Sequence, residues 1–261
     1  MNNPSTIPAS QPLEPIRRAI IVGASSGIGA ALVHELVSHN YAVAALARRT
    51  EQLQEVCDAA NRHAAAGRAT PYEHDVTRSD AVAPLFQSIV RELGGLDLIV
   101  YVAGVQPDVA PNEYDFQKDA AMVQVNLLGA MAWLNLAAQR FHQARKGHIV
   151  GVSSVSGDRG RVAFPGYHAS KGALSIYLES LRNRLSRRGV TVTTVKPGFV
   201  DTRLLANAKK TMWVISPQEA AQQIREAIDD GKQVVYIPGR WQWVMLIIRH
   251  IPSFIFRRLA I

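Results

Sequence analysis

The sequence predicts an α/β fold: a single-domain, doubly wound parallel sheet of about seven strands with helices on both faces. Two observations predict it. Short, continuously apolar runs alternate with longer helical segments, as in strands buried on both faces and joined by covering helices. The first apolar run also passes through a glycine-rich turn directly into a helix, as a βα unit does. The elements follow in order. Residues 19–22 read as a strand and 27–38 as a helix; 41–46 is the second strand, with a helix over 50–66. Residues 69–74 form the third strand and 79–93 its helix; 97–102 is the fourth strand, followed by a long helical region over 115–142. The fifth strand spans 148–152 with a helix over 166–187, and the sixth spans 190–196 with a helix over 217–229. A short last strand covers 234–237. The expected organisation is an N-terminal tail over 1–15, one domain over 16–238, and a basic apolar segment over 239–261.

The chain has 261 residues, 48% of them apolar, enough for one buried core. Its formal net charge of +8 admits nucleic acid, a membrane surface or an anionic small molecule as partner. No helix-turn-helix, zinc-finger or RNA-binding signature accompanies the charge, so nucleic acid is not expected. Cys57 is the only cysteine, which excludes an intrachain disulfide and fits a reducing compartment. It shares a helical apolar side with Leu53, Val56 and Ala60 and reads as a buried structural thiol. His34 and His39 lack metal-ligand spacing, and no metal is expected. Residues 1–15 carry Pro4, Pro8, Pro12 and Pro15 but no apolar core or basic start, so they read as a flexible tail and not as a secretory signal. A cytoplasmic location is expected, at a membrane surface if the C-terminal segment engages one.

The first strand runs into Gly23-Ala24-Ser25-Ser26-Gly27-Ile28-Gly29. Glycines there let the backbone turn tightly and approach a pyrophosphate, toward which the next helix points its N-terminus. The spacing differs from G-x-G-x-x-G and lacks the Lys-Ser/Thr of a P-loop. Tyr167 and Lys171 stand four apart at a helix start, so they share a face. A free tyrosine, with pKa about 10, is a poor acid–base group near neutrality. A neighbouring lysine cation favours the phenolate and is expected to lower that value. Ser154 follows the fifth strand, where its hydroxyl can polarise a substrate oxygen. Strand alternation points it and its neighbour Ser153 in opposite directions without choosing between them.

The glycine turn, Ser154 and Tyr167-His168-Ala169-Ser170-Lys171 together resemble the short-chain dehydrogenase/reductase family over roughly residues 17–237. The resemblance implies one Rossmann-type domain, NAD(P)(H) binding, and a catalytic set of Asn126, Ser154, Tyr167 and Lys171. Asn126 would hold a water linking Lys171 to solvent, and Tyr167 and Lys171 would also meet the nicotinamide ribose. Gly23, Ser25, Ser26, Gly27, Ile28 and Gly29 would cradle the pyrophosphate. Ala103 and Gly104 would let the cofactor lie close, and Pro197, Gly198, Val200 and Thr202 would hold its carboxamide. Asp75 and Val76 resemble the family's adenine-binding pair, although an Asp capping the next helix reads equally well. Two positions depart from the family: Val22 stands for its usual Thr, and Val102 for its usual Asn.

The second strand ends at Leu46-Ala47-Arg48-Arg49. An acidic residue in place of Ala47 would bind the adenosine ribose and repel a 2′-phosphate. Two arginines suit that phosphate by charge and fork geometry, so NADP(H) is expected over NAD(H), with Arg48 or Arg49 as its contact.

Val105, Val162, Phe164, Phe199, Leu204, Leu205, Met212 and Trp213 should line the substrate side, which suits a small apolar or lipid-like carbonyl or alcohol. Loop packing accounts for the same residues. Over 241–261, Trp241, Val244, Met245, Ile248, Ile255 and Leu259 recur at helical spacing. After Asp230 there is no acidic residue, whereas Lys232, Arg240, Arg249, Arg257 and Arg258 are basic. This segment reads either as a membrane-surface helix or as a tail packed on its own pocket or on a partner subunit. Leu174, Tyr177, Leu178, Leu181 and Leu185 form a further apolar stripe, read either as core or as the dimer face of similar proteins; a homodimer or homotetramer is expected. The function that follows is NADP(H)-dependent hydride transfer between nicotinamide and an apolar carbonyl or secondary alcohol. An oxidative alcohol dehydrogenase of the same family, and a non-catalytic NADP(H)-sensing or membrane-docking protein, are the alternatives.

Overall fold

Strands form where aliphatic and β-branched residues run without interruption: β1 (Arg17–Val22), β2 (Tyr41–Ala47), β3 (Arg68–Glu73), β4 (Leu98–Tyr101), β5 (Gly147–Val152), β6 (Val190–Pro197) and β7 (Val234–Ile237). In this computed structural model, which describes residues 17–62, 64–110, 112–207 and 211–259, they make one parallel sheet in the order β3-β2-β1-β4-β5-β6-β7. The tail expected over 1–15 lies outside the described residues. Strand β1 pairs with β2 on one side and β4 on the other, so the winding reverses at its carboxyl end. That reversal opens the crevice where such sheets bind ligands.

Alternation along β1 feeds two cores. Ala19 and Ile21 pack with Leu32 and Leu36 of α1 (Gly27–Ser38), Leu53 and Cys57 of α2 (Thr50–Arg62), and Ile224 of α7 (Pro217–Asp229). Ile20 and Val22 face Phe86 of α3 (Ser79–Glu92), Trp133 of α5 (Gly129–Ala144) and Leu178 of α6 (Pro165–Leu185). Leu174, Leu178, Leu181 and Leu185 of α6 are buried in this second core, so these four leucines of the stripe are core packing, while Tyr177 is only partly buried against it. Each such leucine contributes roughly 1.5–3 kcal/mol of burial. Cys57 is fully buried, and burial pushes its thiol up to about 11.

Several boundaries differ from the sequence reading. Helix α2 stops at Arg62 and not at residue 66: the Asn61 amide bonds both the N–H and the carbonyl of Ala69, drawing the chain into β3. Strand β4 stops at Tyr101 because the Val102 and Ala103 N–H groups both turn onto the Val22 carbonyl, at 2.9 and 2.8 Å. The long helical region is interrupted. Asp115 caps α4 (Phe116–Val123) by accepting from the Gln117 and Lys118 N–H groups. A π-helical turn over Gln124–Leu128 then precedes α5. The stretch Phe116–Ala144 is long and apolar enough to span a membrane, but Trp133, Leu134, Ala137 and Phe141 within it are buried as a core helix requires. The C-terminal segment folds back as α8 (Trp241–His250) and a short α9 (Ser253–Phe256).

Candidate active site

Loops from the carboxyl ends of β1 to β6 converge at the crevice. The β1–α1 turn needs its glycines: Gly23 and Gly27 have φ of 103° and 57°, which L side chains rarely adopt. A Cβ on Gly29 would lie 2.1 Å from the Gly23 carbonyl oxygen. The Gly23 and Ala24 N–H groups share the Leu46 carbonyl, at 2.8 and 2.9 Å, which ties the turn to the end of β2. No side chain caps the start of α1, whose first N–H groups, from Gly27 and Ile28 onward, have no intrahelical acceptor. Val102 sets a methyl beside Gly29, so apolar packing supports the turn where the family has a polar group. Val22 is fully buried.

Arginines crowd this turn. Arg49 donates to the Ser25 and Ser26 hydroxyls, at 2.9 and 2.7 Å. Arg48 pairs at 3.5 Å with Asp75. Partial burial, then the charges of Arg203 and Arg48, hold Arg49 below its ordinary pKa. Arg203 escaped the sequence reading, although it directly follows Thr202 of the segment singled out there. Three like charges gathered over a glycine turn fit an anionic phosphate, and the cradle as a whole fits a dinucleotide. Asp75 also closes a tight turn, accepting from the Thr77 N–H and hydroxyl at 2.9 and 2.8 Å. Burial pushes its carboxyl up, but those bonds and Arg48 outweigh it and the pKa falls. Val76 is buried against Gly129. Thr202 leans over Gly27, where an added Cβ would come 2.9 Å from its methyl. Val200 bridges to Ile215.

Asn126, Ser154, Tyr167 and Lys171 meet on the β4–β5 side of the crevice. Lys171 is buried, its Nζ donating at 2.9 Å to the Val152 carbonyl and lying 5.9 Å from the Tyr167 ring centre. Gly104 faces this ammonium: a Cβ there would stand 3.4 Å from both Lys171 Nζ and Asn126 Oδ1. Ser154 faces the Tyr167 phenol and also accepts from the Ser156 N–H, whereas Ser153 turns away to the Lys171 carbonyl and Ser175. Asn126 lies in the π turn. Its amide accepts from the Val105 N–H at 2.8 Å and donates to the Val105 carbonyl and to Ser170 Oγ, at 3.1 and 3.0 Å. Its side chain therefore fixes the β4 loop. Ser170 was not singled out from the sequence.

The electrostatics correct one expectation. Burial raises the Tyr167 pKa against the opposing effect of Ser154, and burial alone lowers Lys171 to about 8. Desolvation therefore outweighs the Ser154 hydrogen bond and favours the neutral phenol.

An aromatic roof covers the β6 end. Trp241 of α8 stacks edge-on with Phe199 and Trp213, with centroids 5.8 and 5.4 Å apart. It presses so close to Gly198 that an added Cβ would strike its indole nitrogen at 2.0 Å. Met245 and Val155 complete this cluster with Val244 and Ile248. Val162, Leu204 and Met212, expected at the pocket, are exposed, Leu205 is partly buried, and Phe164 adopts a left-handed conformation at the start of α6. Beneath the roof Asp158 pairs with Lys196 and accepts from the Tyr236 hydroxyl at 2.7 Å. Among the described residues no group of His, Cys, Asp or Glu could hold a metal ion.

Comparison with known proteins agrees with this geometry. The family model described as short chain dehydrogenase matches residues 17–213. The chain belongs to that family, is an oxidoreductase, and has the fold of an NAD(P)(H)-binding protein. It is 36% identical over 227 residues to an uncharacterized oxidoreductase of Myxococcus xanthus, covering 87% of this chain and 88% of the relative. It is 28% identical over 235 residues to another from Mycobacterium tuberculosis, covering 88% and 91%. Among solved structures, a 3-oxoacyl-[acyl-carrier protein] reductase from Brucella melitensis superposes with a TM-score of 0.73 at 24% identity, over 85% of this chain and 89% of that one. ElxO with NADP bound gives 0.76 at 20% identity, over 85% and 97%. An actinorhodin polyketide ketoreductase variant with NADPH gives 0.76 at 23%, over 86% and 96%. At these identities the structural likenesses establish the fold.

Proposed function

We propose that the protein is an NADP(H)-dependent reductase of apolar, lipid-like ketones or aldehydes. The observation that carries the reading is the meeting of Ser154, Tyr167 and Lys171 beside a glycine turn crowned by arginines. Arg48, Arg49 and Arg203 would hold a 2′-phosphate, with no acidic residue at Ala47 to oppose it. Structural neighbours with NADP or NADPH support that choice.

Held over the glycine turn of residues 23–29, a reduced nicotinamide cofactor would supply hydride to the carbonyl carbon. Ser154 donates a hydrogen bond to the substrate oxygen and polarises it. Tyr167, kept protonated by burial, delivers its proton to that oxygen, so the product is the neutral alcohol. Lys171 offsets the phenolate left behind, and its bond to the Val152 carbonyl keeps the ammonium in place. Asn126 holds the Val105 backbone and so the wall of the site. The apolar roof of Phe199, Trp213 and Trp241 favours a hydrocarbon substituent on the carbonyl.

The test is consumption of NADPH and of NADH against aldehydes and ketones of rising chain length. Turnover that prefers NADPH and improves with chain length is expected. Preference for NADH would overturn the arginine assignment, and indifference to chain length the apolar one.

A further inference from the structure

We propose that α8 and α9 form a docking surface for an anionic lipid bilayer. Helix α8 has two apolar faces. Trp241 and Met245 are buried under the roof, with Val244 and Ile248 beside them. On the opposite side Trp243, Leu246 and Ile247 fall at i, i+3 and i+4 and are 66%, 48% and 68% exposed. A surface helix covering a core would place polar residues there. The apolar exposure continues through Phe254, Ile255 and Leu259.

The charge around this face has one sign. Arg257 and Arg258 are exposed beside the apolar residues of α9, Arg240 lies over the Trp213 ring and Arg249 reaches Tyr236, and no acidic residue follows Asp230. Two arginines from the turn and loop before α6 also contact α8. Arg159 donates to the carbonyls of Ile248, Arg249 and Ile251, at 3.0, 3.0 and 2.6 Å, and its guanidinium covers the Phe256 ring. Arg161 reaches the Met245 sulfur. The nearby carboxylate, Asp158, is engaged by Lys196 and Tyr236. The occupant must therefore be apolar and carry negative charge, as an anionic bilayer does. A second copy across a two-fold axis would set arginines against arginines with no carboxylate between them. Helix α8, of 10 residues and followed by Pro252, is too short to span. It lies flat instead, with Trp243 at headgroup level. The inward face of the same helix roofs the site, which deepens the proposed function: the carbonyl substrate is a lipid entering from the bilayer.

Co-sedimentation tests this with vesicles of phosphatidylcholine alone or mixed with phosphatidylglycerol. The full chain should bind the mixed vesicles at least tenfold better, and high salt should release it. A Trp243→Ser/Leu246→Ser/Ile247→Ser variant should lose at least tenfold. An Arg257→Glu/Arg258→Glu variant should lose a similar factor, since each arginine near an anionic surface contributes about fivefold. Both should keep wild-type turnover of a water-soluble aldehyde, which reports on the reductase assignment separately. Failure of the wild type to sediment, equal binding to both vesicle types, or unchanged binding by the triple variant would overturn the proposal. So would an oligomer, seen by light scattering, that the triple variant abolishes while the wild type ignores vesicles.

Discussion

Buried side by side, the Tyr167 phenol and the Lys171 ammonium are both pushed toward their uncharged forms. For Lys171 this has a consequence for stability. The folded protein releases that proton near pH 8, whereas an unfolded lysine keeps it to about 10.5. Between those values the unfolded chain binds more protons, so stability rises with pH, by up to about 3 kcal/mol. Urea midpoints should show the wild type gaining on Lys171→Met as pH climbs through this window; parallel curves would sink the idea. Arginine chemistry gives a second residue-scale prediction. Replacing Arg49 by Ala should cost roughly tenfold or more in kcat/KM for NADPH and leave NADH almost unaffected, since a charged hydrogen bond contributes about 1.5–3 kcal/mol. Arg48→Ala should behave likewise; equal losses with both cofactors would refute a 2′-phosphate role.

At the scale of elements, the π turn over Gln124–Leu128 positions Asn126, and Asn126 positions Val105. Tyr101 inside the core donates to the Val125 carbonyl of the same turn at 2.6 Å, so the interruption is held from below as well. Asn126→Ala strips partners from both polar groups of Val105, a cost of roughly 1–3 kcal/mol for each group left buried. A lowered melting temperature together with slower turnover is expected; normal stability with normal turnover would remove Asn126 from the account. This element also marks where sequence reading stopped. Strands were legible as continuous apolar runs because both faces of the sheet are buried, and helices by the 3.6-residue period that one-sided burial imposes. Such patterning could not reveal a single i+5 turn inside a continuous helical pattern, nor that Ser170 of α6 would meet Asn126 in the interior. Arg203 stood in plain view after Thr202, but only the fold shows that its charge reaches Arg49. The roof was half legible: spacing gave the apolar face of Trp241, Val244, Met245 and Ile248, while its contact with Gly198 depends on how α8 folds back.

Across the whole molecule, the half-buried His148 and the buried His168 tie stability to acid. Burial lowers His148 to about 4, and burial with the charge of Arg161 does the same to His168. His148 Nε2 meets the Thr193 hydroxyl at 2.7 Å while that hydroxyl donates to the Lys232 carbonyl, so the neutral imidazole is the donor. Unfolded histidines gain protons near 6.5, so their contribution is complete above that pH and is lost as pH falls toward 4, by up to about 3 kcal/mol each. Denaturation at pH 7 and pH 5 should show this loss, with a shallower dependence for His148→Gln; identical slopes would contradict it. None of this bears on the chemistry unless the site turns over. The decisive measurement is steady-state NADPH oxidation with an apolar aldehyde by the wild type and by Tyr167→Phe, alongside NADPH binding to each. Turnover by the wild type, a loss of roughly 10²–10⁴-fold in the variant, and unchanged cofactor affinity are expected. A Tyr167→Phe protein that reduces the aldehyde as fast as the wild type would contradict the role given to Tyr167.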